Sequence, residues 1–157
     1  MNAEPAERSA ARVLLLDAKD RLLLFHGFDP HDRARGGWWI TPGGGLEPGE
    51  DPTVGAAREL FEETGLLLDP AEFVGPVYER VAEFPFEGRR YRQAEGFYLA
   101  RVAAWDVDTS GFTAVELRSV DGHRWWSLAE LRTTTEQVYP ECLSDLLTSA
   151  LSWAEEA

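Results

Sequence analysis

The stretch that decides the fold runs from Gly44 to Leu66 and reads GGLEPGEDPTVGAARELFEETGL. Asp51 followed by Pro52 is the pair expected at the start of a helix, as N-cap and first helical residue, and Gly65 is typical of a helix end. The stretch therefore predicts a glycine-rich loop that leads into one helix over residues 52–64.

Three carboxylates share one face of this predicted helix. With about 100° per residue, Glu62 and Glu63 lie about 60° and 40° to either side of Glu59. Like charges on adjacent turns repel, so the arrangement needs a compensating cation or ample water. Oxygen ligands of this kind favour a hard ion, Mg²⁺ or Mn²⁺. The opposite face is expected to anchor the helix and carries Leu60, Ala57, Phe61, Val54 and Thr64.

Further groups near the helix are candidates for the same site. The backbone at Gly44 can approach a ligand closely and offer its carbonyl, while Glu47 and Glu50 lie near enough to act as ligands or to support them. Arg58 lies four residues before Glu62, within reach of an ion pair. The competing interpretation is the solvated face of an ordinary amphipathic helix. The complete spacing G-x5-E-x7-R-E-L-x-E-E-x-G-L argues against it.

This spacing resembles the Nudix box, GX5EX7REUXEEXGU with U an aliphatic residue, and every specified position is filled. WWITPGG at Trp38–Gly44 and HRWWSLAEL at His123–Leu131 extend the resemblance over most of the chain. It implies a Nudix-type α/β/α sandwich with a central mixed β-sheet. It also implies Mg²⁺- or Mn²⁺-dependent cleavage of a phosphoanhydride in a nucleoside diphosphate linked to another moiety. The alternative is a Nudix-fold domain that binds or senses a nucleotide without cleaving it, but such domains usually carry a degraded box.

The resemblance also implies roles for individual residues of the box. Glu59, Glu62 and Glu63 correspond to metal ligands, and the Gly44 carbonyl to an additional one. Arg58 corresponds to the residue that orients a catalytic glutamate.

The general base and the substrate contacts stay open at this point. The base candidates are Glu62 in the box, Glu116 in the loop before residues 123–126, and Glu95 at the head of the strand 96–103. Arg35 is a candidate for gripping a phosphate, and Trp39 for stacking on a nucleobase, although surface and packing roles are more typical of both. Markers of the substrate sub-families do not match, so the substrate stays open.

Composition limits the classes of function. The chain has 157 residues, of which 44% are hydrophobic, enough for the core of one compact domain. Its formal charge of −13 argues against polymeric nucleic acid and membrane surfaces as partners, because both require a basic footprint. We expect a small nucleotide-type substrate as the partner, and a homodimer is left open. The single cysteine, Cys142, cannot form an intramolecular disulfide and receives no role.

The chain is expected to form a flexible tail over residues 1–10 and one domain over residues 11–157. The apolar runs are too short to span a bilayer, and the first ten residues lack the features of a signal peptide, so a cytoplasmic location is expected. Residues 12–17 and 21–25 predict a hairpin, 38–41 a short strand, and 72–84 with 89–103 a second pair of strands. Residues 105–121 read as a loop, 124–126 as a strand, 127–131 as a short capped helix, and a last helix begins near Pro140.

Overall fold

The computed structural model describes residues 4–156, and in this range it contains eight strands in one mixed sheet. The strands are β1 (Ala6–Leu16), β2 (Leu22–Gly27), β3 (Trp38–Ile40), β4 (Gly43–Gly45), β5 (Val74–Phe86), β6 (Arg89–Arg101), β7 (Val120–Trp126) and β8 (Val138–Tyr139). The α-helices are α1 (Pro52–Thr64), α2 (Ala114–Ser119), α3 (Leu128–Thr133) and α4 (Leu143–Glu156). Short 3₁₀ turns lie at Arg33–Arg35 and Pro70–Glu72.

Strand β1 is the centre of the sheet. The strand order is β5-β6-β1-β2-β3-β8, while β4 pairs with β1 and β7 pairs with β2. The β1–β6 pairing is parallel, whereas β1 pairs with β2 and β4 in antiparallel fashion, so the sheet is mixed as predicted. The strands and flanking helices form the α/β/α arrangement that the sequence predicts.

The two faces of β1 lie in two different hydrophobic clusters, because successive strand residues point to opposite faces. On one face Ala11, Val13 and Leu15 share a cluster with the α1 residues Ala56, Ala57 and Leu60. On the other face Leu14 and Leu16 share a cluster with the α4 residues Leu143, Leu146 and Leu147. Helices α1 and α4 therefore cover opposite faces of the sheet.

The expectation of a flexible tail over residues 1–10 is wrong for residues 6–10. Strand β1 begins at Ala6 and pairs in parallel with β6, from Ala6 opposite Tyr91 to Ala10 opposite Glu95. The local sequence is charged and small, so the strand depends on this long-range pairing rather than on its own propensity. Residues 1–3 of the predicted tail lie outside the described residues.

The predicted loop over residues 105–121 is also partly wrong, because it contains helix α2 and the start of β7. Thr113 and Glu116 form a capping box, in which the Thr113 hydroxyl accepts from the Glu116 amide and the Glu116 carboxylate accepts from the Thr113 amide. This pattern is a recognised helix start. Helix α2, which starts at this capping box, places the Glu116 side chain near helix α1.

Helix α1 has the predicted bounds. The Asp51 carboxylate accepts from the Thr53 amide at 3.0 Å, and Gly65 ends the helix with a φ of 75°. The prediction of its anchoring face is wrong at two positions, since Val54 and Phe61 are 45% and 50% exposed.

The buried side of α1 is instead rotated toward its carboxylates. Glu59 and Glu63 are 9% and 6% exposed and lie on the same buried side as Ala56 and Leu60. The helix packs against β1 and β4, so these two acids meet the glycine backbone of β4.

Candidate functional site

The glycines of β4 allow α1 to approach the sheet closely. A methyl group placed on Gly44 would lie 2.8 Å from the carboxylate atoms of Glu59, closer than real side-chain contacts allow. The amide of Gly43 donates to Oε1 of Glu63 at 2.8 Å. Any side chain at Gly44 would therefore displace the Glu59 carboxylate.

Three carboxylates meet at this point. Glu59, Glu63 and Glu116 each offer an oxygen, and these oxygens lie within 4.8 Å of one another. Glu116 reaches the group from α2, so the structure brings a candidate for the general base into the predicted metal group. Glu62 is not part of this group, and its carboxylate lies 3.5 Å from Nη1 of Arg58.

The charges in this carboxylate group are poorly compensated. Burial raises the pKa of Glu63 well above its usual range, and the nearby charge of Glu116 raises it further. Burial also raises the pKa of Glu59, with a contribution from Glu62. A divalent cation would offset the repulsion between carboxylates held this close together, and the oxygen donors fit Mg²⁺ or Mn²⁺.

Arg58 lies beside this carboxylate group and forms hydrogen bonds with Glu50 and Glu59. Its Nε and Nη2 donate to the two oxygens of Glu50 at 2.9 and 2.8 Å, and its Nη1 donates to Oε1 of Glu59 at 3.1 Å. Arg58 lowers the pKa of Glu50 to about 2, with help from the Glu47 amide. Both oxygens of Glu50 are therefore engaged, and Glu50 supports Arg58 rather than offering a free ligand oxygen. Glu47 is exposed and contacts Glu50 through its backbone.

A cavity of about 650 Å³ opens beside the carboxylates and is lined by Glu63 and Glu116. Arg35 also lines it, with Nη1 donating to the Pro85 carbonyl at 2.6 Å and its guanidinium 4.6 Å from the centre of the Trp38 ring. The predicted position of Arg35 at a substrate cavity is thus compatible with the geometry.

Trp39 does not line this cavity, so its predicted stacking role does not fit the structure. Its ring packs edge-on against Trp126, with ring centres 5.1 Å apart, and against His26. Adjacent strand residues point to opposite faces, so it is Trp38 that lines the cavity. The adjacent tryptophans Trp38 and Trp39 indicated an aromatic side chain at the site. The sequence alone did not indicate which of the two lines the cavity.

Glu95 has the wrong environment for the general base that the sequence analysis considered. It is 4% exposed, and its carboxylate accepts from Nε of Arg12 at 3.2 Å and from Nε of Arg80 at 2.6 Å. Burial alone would raise the pKa of Glu95, but the two guanidinium groups outweigh it and hold the pKa below its usual value. A carboxylate this weakly basic and fully engaged is a poor proton acceptor.

Arg12 and Arg80 also line the cavity, and neither was predicted from the sequence as a site residue. One signal was present at Arg12, a charged residue directly before the apolar run Val13–Leu16. No comparable signal marks Arg80.

Within the described part of the chain, none of the helices combines the length and apolar character that crossing a membrane requires.

Solved structures share this fold. The MutT protein from Methanosarcina mazei Go1 superimposes with a TM-score of 0.66 at 22% identity, covering 98% of this chain and 99% of that one. A binary complex of the C. elegans Ap4A hydrolase gives a TM-score of 0.57 at 16% identity, covering 96% and 99%. At these identities the likeness defines the class of fold, an α/β/α sandwich of the Nudix type.

Sequence comparison gives the family. A family model described as NUDIX domain matches residues 6–146, so the chain belongs to the Nudix domain family. It is 34% identical over 101 residues to an RNA pyrophosphohydrolase of Roseobacter denitrificans, covering 59% of this chain and 62% of that protein. It is 39% identical over 80 residues to an RNA pyrophosphohydrolase of Erythrobacter litoralis, covering 46% and 49%. The matches thus span less than two thirds of either relative.

Proposed function

We propose that this protein is a divalent-metal-dependent hydrolase that cleaves a phosphoanhydride bond in a nucleotide-type substrate. The observation that carries the proposal is the group formed by Glu59, Glu63 and Glu116 at the edge of a cavity of about 650 Å³. Membership of the Nudix domain family and the complete box support it. We also infer that the protein works in the cytoplasm.

Glu59, Glu63 and Glu116 would hold Mg²⁺ or Mn²⁺, together with the carbonyl of Gly44. The bound ion would neutralise phosphate oxygens and lower the pKa of an attacking water. Arg58 fixes the orientation of Glu59 through the 3.1 Å hydrogen bond, and Glu50 fixes Arg58. Positioning of this kind is what phosphoryl transfer mainly requires of a protein.

The general base is assigned to Glu62. Glu95 is engaged by two arginines, and Glu116 lies among the proposed metal ligands. The Glu62 carboxylate lies outside that group and its side chain is 32% exposed, so a water molecule can reach it, and its contact with Arg58, at 3.5 Å, is longer than the contacts that hold Glu95.

Two alternatives remain testable. A non-catalytic nucleotide-binding or sensor domain would bind substrates without releasing product. Action on the 5′ end of RNA is favoured by one observation, the names of the two relatives from Roseobacter denitrificans and Erythrobacter litoralis. The charge of −13 favours small substrates, because a long RNA would meet repulsion outside the cavity.

The deciding experiment is a substrate panel in ¹⁸O-labelled water with Mg²⁺ and then Mn²⁺. The panel contains nucleoside di- and triphosphates, ADP-ribose, dinucleoside polyphosphates and a 5′-triphosphorylated RNA oligonucleotide. Mass analysis of the products gives both the substrate class and the attacked phosphorus. Absence of metal-dependent product from every member, despite calorimetric binding, would establish the non-catalytic alternative.

A further inference from the structure

Two arginines converge on one buried carboxylate beside the carboxylate group. Glu95 on β6 accepts from Arg12 of β1 at 3.2 Å and from Arg80 of β5 at 2.6 Å. Gln93 donates to Glu95 at 2.7 Å and accepts from Nε of Arg8. The parallel β1–β6 pairing and the β5–β6 hairpin bring these three arginines together from two strands distant in sequence.

The three arginines are anchored by Nε and retain unused donors. The terminal amino groups of Arg8 and Arg80, and Nη2 of Arg12, make no hydrogen bond to residues 4–152, the range in which side chains are described. All three residues line the cavity of about 650 Å³, where Arg12 and Arg80 are largely buried and Arg8 is exposed. Among the described side chains, Glu95 is the carboxylate that pairs with Arg12 and Arg80, so the three arginines outnumber the acid that they contact.

A single residue, Gly43, connects this cluster to the carboxylate group. Nη1 of Arg12 donates to the carbonyl of Gly43 at 3.0 Å, and the amide of Gly43 donates to Glu63 at 2.8 Å. An anion that contacts the free donor of Arg12 is therefore a close neighbour of one held at the carboxylates through a metal.

We propose that Arg12 and Arg80, with Arg8 at the outer end, form an anion subsite for a phosphate group that is not bound through the metal. The planar guanidinium fork matches phosphate oxygens, and Glu95 holds two of the forks in place. The substrate class that uses both sites is a polyphosphate with at least three phosphate groups, two across the cleaved bond and one at the arginines. This choice of substrate rests on the proposed hydrolysis, whereas the anion subsite does not.

The subsite is tested first without metal. In EDTA, calorimetry measures the binding of tripolyphosphate and of pyrophosphate to the whole chain. Tripolyphosphate should bind wild-type protein, and Arg80→Gln should weaken its binding about tenfold or more, because charge-assisted hydrogen bonds are lost. The matched control is Arg92→Gln, which removes the same charge from an exposed position on β6 and should leave binding unchanged.

Equal losses in Arg80→Gln and Arg92→Gln would show a general charge effect and overturn the subsite, as would the absence of tripolyphosphate binding to wild-type protein. Thermal melting checks that each variant is folded. If Arg80→Gln does not fold, Arg8→Gln removes an exposed arginine of the same cluster, and unchanged binding in that variant would overturn the proposal equally.

The substrate class is tested by kinetics in Mg²⁺. Arg80→Gln should raise KM for a nucleoside triphosphate about tenfold more than for the corresponding diphosphate. An equal change for both substrates would reject the three-phosphate requirement even if anion binding in EDTA is confirmed. Absence of any turnover would contradict the proposed hydrolysis but leave the EDTA result standing, so the two failures are distinguishable.

Discussion

Gly44→Ala tests the site at the contact that sets its geometry. The added methyl would lie 2.8 Å from the carboxylate of Glu59, while ordinary contacts begin at 3.4 Å, so the carboxylate has to move by several tenths of an ångström. Glu59 is held by Arg58 at 3.1 Å, and the displacement therefore disturbs the ligand oxygen rather than the backbone. We expect a folded protein in which Mg²⁺ affinity and turnover fall about 10- to 100-fold.

Gly45→Ala is the matched control, on the same short strand and with the same chemical change. A methyl there would meet nothing closer than 4.0 Å, so activity and Mg²⁺ affinity should stay near wild type. The assays are Mg²⁺ titration by thermal shift and initial rates on the best substrate of the panel. Wild-type metal affinity in Gly44→Ala, or an equal loss in Gly45→Ala, would refute the steric reasoning.

Three further substitutions address the carboxylates. Glu63→Gln keeps an acceptor for the Gly43 amide, so the fold should survive. Saturating Mg²⁺ should raise the melting temperature of wild-type protein by about 5–10 °C, and this rise should vanish in the variant. A rise that persists in Glu63→Gln would contradict the role of Glu63 as a ligand. Glu116→Gln keeps the capping box and should weaken Mg²⁺ binding about 10- to 100-fold, with turnover recovered by excess metal. Reduced turnover with unchanged Mg²⁺ affinity would instead make Glu116 the base. Arg12 and Arg80 lower the pKa of Glu95 in the folded protein. Ionised Glu95 therefore stabilises the fold at pH values above its pKa in the unfolded chain, about 4.3. This stabilisation is lost as the pH falls through the lower pKa of the folded protein. The difference in free energy of unfolding between wild type and Glu95→Gln, from urea titrations, should therefore shrink toward acid pH, and a constant difference would rule out the linkage.

Helix α1 could be predicted from the sequence because its signals are local. Asp51, Pro52 and Gly65 act within one turn of the helix ends, and the structure places both ends accordingly. Its buried face could not be predicted in the same way, because the direction of packing depends on β4. The glycines there admit Glu59 and Glu63 to the buried side and leave Phe61 outside.

The third carboxylate and the arginine cluster depend on contacts between distant residues. Glu116 reaches Glu63 across 53 positions of sequence because α2 starts at a capping box that the sequence analysis overlooked. Arg12 and Glu95 meet only through the parallel β1–β6 pairing. No turn connects two parallel strands directly, so no turn residues indicate their register. The spacing of residues in the sequence therefore could not predict that Arg12 lies near Glu95.

The net charge of −13 and the arginine cluster in the cavity both affect anion binding, but they do so over different distances. The field of surface acids is screened beyond about 8–10 Å at physiological salt, so it mainly opposes the approach of large polyanions. Arg12 and Arg80 instead act at contact, in a partly desolvated cavity where a guanidinium–phosphate hydrogen bond is strong. Net charge therefore bears on the size of the anion that can approach, while the arrangement around Glu95 decides which phosphate group is bound. An acidic chain can thus favour a compact polyphosphate through a local group of arginines.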